Sequence, residues 1–179
     1  MPQSATTSLF QAATSTFESL ALLFPARCGV EGAGFVPLAA TVSVAFRGAG
    51  EGRLVVGVTA GVLTALAENM LGAAAAPHAE LQRDALGELA NIVTGNVLPM
   101  INGAEAVYRL DPPSPAGAEP FRALDGETQL AFTRLQMDEG EALLALFVSD
   151  VVGATVTALF VSDVVGAAVT APLPGVARA

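Results

Sequence analysis

Residues 84–96 read DALGELANIVTGN, and the fold turns on whether this run is a helix and on which of its faces is buried. Taking Asp84 as zero and about 100° per residue, Glu88 falls at about 40°, Asn91 at about 340° and Gly95 at about 20°. Leu86, Leu89, Val93, Val97 and Met100 fall between about 140° and 220°, on the opposite side. The spacing predicts one long amphipathic helix from about Glu80 to Met100, its apolar stripe laid on a sheet and its acid, acid, amide stripe turned outward. Gly87 and Gly95 sit inside this helix, where each costs about 1 kcal/mol relative to Ala. They line or flank the polar stripe and leave a flat strip suited to close approach by another macromolecule.

Working outward, AGVLTALAENMLG (60–72) reads as a shorter helix closed by Gly72, joined to the long one by AAAAPHAE (73–80). Before it, VPLAATVSVAF (36–46) and RLVVGVT (53–59) are β-branched runs flanking RGAGEG (47–52). Val42, Val44 and Phe46 alternate with Thr41, Ser43 and Ala45, so the pair reads as a β-hairpin. TSLFQAATSTFESLALLF (7–24) places Leu9, Phe10, Ala13, Phe17, Leu20 and Phe24 at helical intervals. It is expected to be a first helix, capped from Thr6–Ser8 and ended by Pro25.

After the long helix, AEAVYRLDPPSPAGAEPF (104–121) reads as a strand entering a Pro-rich loop that cannot continue regular structure. TQLAFTRLQM (128–137) and EALLALFVS (141–149), joined by the acidic turn DEGE (138–141), read as a second hairpin. ALFVSDVVGATVT (145–157) is followed directly by ALFVSDVVGAAVT (158–170), a tandem copy differing at one position of 13. An odd period cannot keep one face of a continuous strand inward, so a turn near Gly153 must intervene or one copy alone enters the sheet. An unpaired second copy would be an apolar edge open to dimerisation or aggregation.

Composition bounds the function. The chain has 179 residues, 53% of them hydrophobic and 14% charged, which fits one globular domain of α/β or α+β class. A net charge of −9 lacks the basic footprint that nucleic acid requires, and that partner is excluded. The N-terminus carries no positive region and Glu18 interrupts the first apolar run, so no secretory signal is read and a cytoplasmic location is expected. The apolar run 142–171 is broken by Asp150 and Asp163 and is too short between them for a membrane span, which needs roughly 20 apolar residues. Cys28 is expected to be a core thiol. His78 has no partner at metal-ligand spacing, no Ser, His, Asp order is persuasive with a single histidine, and GAGEG (48–52) is a turn rather than a phosphate cradle, since no helix follows it.

The run Asp84-x3-Glu88-x2-Asn91 resembles the D/S-x3-E-x2-N signature of the CheC/CheX/FliY phosphatases of bacterial chemotaxis. ENMLG (68–72), the gap after it, ALGELANIVTGN (85–96) and DEGEALLALFV (138–148) are similar to a CheX-type chain, over about residues 17–148. The resemblance implies a single-domain CheC-like fold, with long helices packed on a mainly antiparallel sheet. It implies hydrolysis of the aspartyl phosphate of a CheY-type response regulator. Asn91 would align the attacking water, Glu88 would pair with the regulator's lysine, and Asp84 would support them. Gly87 and Gly95 belong to the docking surface. No cofactor or metal is expected on this chain; Mg²⁺ belongs to the receiver.

The family pattern places a Pro 23 residues after the Asn, where this chain has Ser114 between Pro113 and Pro115. The first helix offers Thr14 and Glu18 but Ala21 where an Asn would be needed, which leaves one site per chain. CheX-type proteins dimerise across their sheets, so a homodimer is expected. The alternative reading is a non-catalytic CheX-like module that binds a receiver or dimerises as a scaffold.

Overall fold

The computed structural model describes residues 4–26, 36–76 and 78–149. Cys28, Pro77 and the duplicated segment from Asp150 onward, including the second copy, lie outside them.

Helix α1 (Ala5–Ala21) starts at Ser4, whose hydroxyl accepts the Thr7 N–H at 3.2 Å. The cap is thus upstream of the expected Thr6–Ser8. The helix also stops before Pro25, because Leu22 takes a left-handed conformation (φ 52°) and the Leu23 N–H turns back to the Phe17 carbonyl. Strands β1 (Ala40–Gly48) and β2 (Gly52–Val58) form the expected hairpin, with Val44 opposite Leu54. Helix α2 (Ala60–Leu71) ends at Gly72 (φ 95°), and a single 3-10 turn, Ala73–Ala75, leads to α3 (Ala79–Asn102).

Three shorter steps complete the chain. Strand β3 (Tyr108–Leu110) pairs with the end of β1, and β4 (Ser114–Pro115) pairs with its start, Ser114 opposite Ser43 and Pro115 opposite Val42. The Pro-rich segment therefore does enter the sheet, for two residues. This is possible because proline is tolerated on an edge, where its missing N–H faces away from the ladder. Strands β5 (Glu127–Met137) and β6 (Gly140–Ser149) form the second hairpin, turning through Asp138 and Glu139 between the Met137–Gly140 pair.

All pairings are antiparallel, in the order β3-β1-β2-β6-β5, with β4 on β1 beside β3. The architecture is α+β, three helices on a mainly antiparallel sheet. Period two sorts the strands: Val42, Val44, Phe46, Leu54, Val56, Val58, Leu144 and Leu146 join Leu9, Phe17, Leu66, Leu86, Leu89 and Val93 in one core. β6 lies inside the sheet with both edges paired, so residues 145–149, which begin the first copy of the repeat, belong to an interior strand.

The reverse face carries a smaller cluster, Val55, Ala145 and Phe147 under Phe121, Ala123 and Phe132. Arg53 holds it together. Its guanidinium makes a two-pronged pair with Glu127 (2.9–3.0 Å), donates to the Pro120 and Arg122 carbonyls (3.3 and 2.9 Å) and lies 4.3 Å from the centre of the Phe147 ring.

Candidate functional site

The long helix forms where expected, and tertiary packing selects its faces. Leu86, Leu89, Val93 and Val97 are fully buried. Met100, on the same stripe, is 42% exposed; the wheel assigns a direction, but burial depends on whether sheet lies opposite, and the buried face of α3 ends at Leu98. On the other side Asp84 and Glu88 are exposed and Asn91 is half-buried. The stripe Asp84, Glu88, Asn91, Gly95 is therefore continuous and outward-facing.

Among the described residues, no side chain of Asp84, Glu88 or Asn91 makes a hydrogen bond or ion pair within the chain. Most of the arginines nearby in sequence or sheet are committed elsewhere: Arg47 to Asp111, Arg53 to Glu127, Arg122 to Glu119 and Arg134 to Glu141. The amide of Asn91 keeps both its donor and its acceptor available, and the Glu88 carboxylate keeps its full accepting capacity. Three residues apart on a helix, the two side chains leave Cβ atoms about 5–6 Å from each other. That spacing lets them act on one small chemical group together. The polar residues that pack α1 against α3 point the other way: Thr16 and Thr94 close on the carbonyls of Ala12 and Ala90 at 2.7 Å, and Asn96 donates to Thr16 at 3.3 Å.

The two glycines of α3 differ. A Cβ at Gly95 would meet nothing within 4 Å, whereas at Gly87 it would stand 3.1 Å from Pro113 Cβ and 3.4 Å from Pro113 Cγ. The clearance at Gly87 is thus used inside the molecule, to seat the Pro113 loop on the helix. Of Pro113, Ser114 and Pro115, it is Pro113 that lies against Gly87 of α3, while Ser114 and Pro115 form β4. The loop and the helix enclose an open cleft of about 730 Å³ beside Glu88, with Glu80, Arg83 and Asp84 on the helical wall and Thr41 and Ser114 on the other.

On α1, Glu18 is exposed and Ala21 is fully buried, its carbonyl accepting from the Asn69 amide. No side chain stands there in the place Asn91 holds on α3. Among the described residues, no group of three or more His, Cys, Asp or Glu is arranged to hold a metal ion, and no helix is long and apolar enough to cross a membrane.

Sequence reading missed the Pro113–Gly87 contact and the Arg53 clamp. Only the second left a trace: in RLVVGVT the alternation puts Arg53 on the face of Val55 and Gly57, and an arginine among apolar and small residues signals a face that is partly covered.

Residues 40–134, more than half of the chain, match the family model described as Chemotaxis phosphatase CheX. The chain belongs to that family, the chemotaxis phosphatases of CheX type. Its fold is similar to that of a chemotaxis protein CheX from Desulfovibrio desulfuricans (TM-score 0.63, 16% identity, covering 81% of this chain and 99% of that one). It is also similar to chemotaxis protein CheX from Vibrio vulnificus (TM-score 0.60, 15% identity, 82% and 98% covered). A third similar structure is the CheX chain of a CheX–CheY–BeF3–Mg complex from Borrelia burgdorferi (TM-score 0.56, 18% identity, 80% and 95% covered). Among curated proteins, none matches the chain.

Proposed function

We propose that this protein hydrolyses the aspartyl phosphate of a CheY-type response regulator, with Asn91 and Glu88 as the working pair. The observation that carries the reading is the exposed stripe Asp84, Glu88, Asn91, whose polar groups have no partner among the described residues. Family membership supports it, as does the complex that a similar chain makes with CheY, beryllofluoride and magnesium.

In this mechanism the receiver supplies its own Mg²⁺ and lysine, and this chain supplies position. The Asn91 amide oxygen accepts from a water molecule and its N–H₂ donates toward the phosphoryl group, which holds the water in line with phosphorus. The water oxygen bonds to phosphorus as the phosphorus–oxygen bond to the aspartate breaks. The products are inorganic phosphate as H2PO4⁻, which keeps both of the water's protons, and a free aspartate carboxylate. Glu88 pairs with the receiver's lysine and sets the register of docking; Asp84 supports Glu88. No metal or cofactor on this chain is required. A receiver substrate places the activity in the cytoplasm.

The protein works as a homodimer joined along β5. The β3/β4 edge is short, carries Arg109 and includes Pro115, all features that discourage strand addition. β5 is 11 residues long, ends the strand order on the other side of the sheet and takes an isolated bridge from Ala26 at Gln136.

The test is phosphate release from a phosphorylated receiver. Wild type accelerates it; Asn91→Ala abolishes the acceleration while the receiver still binds, and Glu88→Ala raises KM. Binding without acceleration by wild type would defeat this reading in favour of the non-catalytic module.

A further inference from the structure

Pro99 lies inside α3, three residues before its end at Asn102. Proline has no N–H, so the carbonyl four residues earlier loses its helical donor. That carbonyl belongs to Gly95. Gly95 stands on the outward stripe with Asp84, Glu88 and Asn91, is exposed, and has open space where a side chain would be. Its carbonyl is therefore stripped of its normal helical partner and stands where no side chain of its own screens the backbone. Glycine and proline each weaken a helix. Here the two meet one turn apart on α3, and the glycine is not explained by packing: the site at Gly95 is empty, unlike Gly87 under Pro113.

Solvent satisfies such a carbonyl in the free protein. Beneath a docked protein it must find a donor or remain unsatisfied, so it discriminates between partners that present one and those that do not. Its position is also mechanically apt. Glu88 precedes Asn91 by three residues and Gly95 follows it by four, so contacts at both would bracket Asn91 along about 10 Å of helix axis. A contact through the backbone is stiffer than one through a flexible side chain, because it involves no rotamer.

We propose that the Gly95 carbonyl oxygen accepts a hydrogen bond from an N–H or O–H of the docked receiver and so fixes the height and rotation of Asn91 over the phosphoryl group. This rests on the docking of a receiver to α3 described above. Gly95 is in this sense a positioning residue, and Pro99 is what keeps its carbonyl available.

The experiment uses the full chain labelled with [1-¹³C]glycine and titrated with a CheY-type receiver carrying beryllofluoride and Mg²⁺. On saturation the Gly95 carbonyl resonance moves downfield, while that of Gly87, which keeps its helical donor, moves less. In Pro99→Ala the new N–H returns to the Gly95 carbonyl, the melting temperature rises, the bound-state shift is lost and Kd for the receiver increases about fivefold, as expected for one neutral hydrogen bond. A Gly95 resonance that does not move on saturation overturns the proposal, as does a Pro99→Ala variant that binds within twofold of wild type. Should that variant fail to fold, the wild-type resonance decides alone. If no receiver binds wild type, the docking reading itself fails, which is a separate result.

Discussion

Replacing each glycine of α3 by alanine separates what the two positions do, although a helical wheel puts them on adjoining parts of one face. At Gly95 the added methyl meets nothing within 4 Å, so the full helix-propensity gain of about 1 kcal/mol appears as stability. For a chain of this size that raises Tm by about 2–4 °C. At Gly87 the same gain is opposed, because the methyl would stand 3.1 Å and 3.4 Å from two carbons of Pro113. Pro113 has little room to retreat. The two residues after it are paired to β1, and Asp111 before it is held by Arg47 at 2.7 Å. Overpacking of this kind costs about 1–3 kcal/mol, so Gly87→Ala is expected to lie between neutral and about 2 kcal/mol less stable than wild type, at least about 1 kcal/mol below Gly95→Ala. Urea and thermal melts of the two variants measure the difference. Equal stabilisation by both would refute the pinned Pro113, and destabilisation by Gly95→Ala would refute the open strip. Function should divide differently: Gly95→Ala, although more stable, weakens receiver docking, because its methyl stands on the surface proposed to be covered.

Arg53→Ala should cost about 3–5 kcal/mol, since it leaves Glu127 (11% exposed) without its pair and removes the donor to two carbonyls; a loss below about 1 kcal/mol in urea melts would show that Phe121 and its neighbours hold the reverse face without it. Burial acts to raise the Glu127 carboxyl, but hydrogen bonds from Arg53 and the Leu124 N–H and the charge of Arg53 bring it below its ordinary 4.5. Its stabilising contribution is therefore complete above that ordinary value and lost as pH falls through the lowered one, so Glu127→Gln should flatten the acid limb of a Tm–pH curve below about pH 4.5. His78 caps α3 without a side-chain hydrogen bond, and His78→Asp is expected to add about 1 kcal/mol, read from the same melts. Deleting either 13-residue copy leaves ALFVS directly after Leu144, so β6 is rebuilt with identical residues and Tm should change by less than about 2 °C, the range of a surface change; a larger drop would place the second copy in the core.

How much of this was legible beforehand depends on the range of the interaction involved. Both hairpins and the faces of α3 could be read because period 2 and period 3.6 are local properties of the chain, and Gly72 marked a helix end because a cap with positive φ concerns one residue. The end of α1 is not legible for the complementary reason: Pro25 is a visible stop, but the helix ends earlier, at Leu22, a leucine in a conformation its type disfavours. Likewise Met100 carries the right phase yet faces solvent, because phase says nothing about where the sheet ends.

The sequence by itself determined that Asp84, Glu88 and Asn91 share a stripe, that the stripe opposes an apolar one, and, through its resemblance to the CheX family, which chemistry to test. Tertiary structure alone decided that these polar groups are left without partners among the described residues, that Gly87 is spent on Pro113 while Gly95 is open, and that the segment beginning the repeat is an interior strand. The physical reason is that helical and strand phase follow from neighbours three or four residues away. Whether a side chain is answered or left free depends on residues that only the folded chain brings together, as Pro113 is to Gly87 and Glu127 is to Arg53.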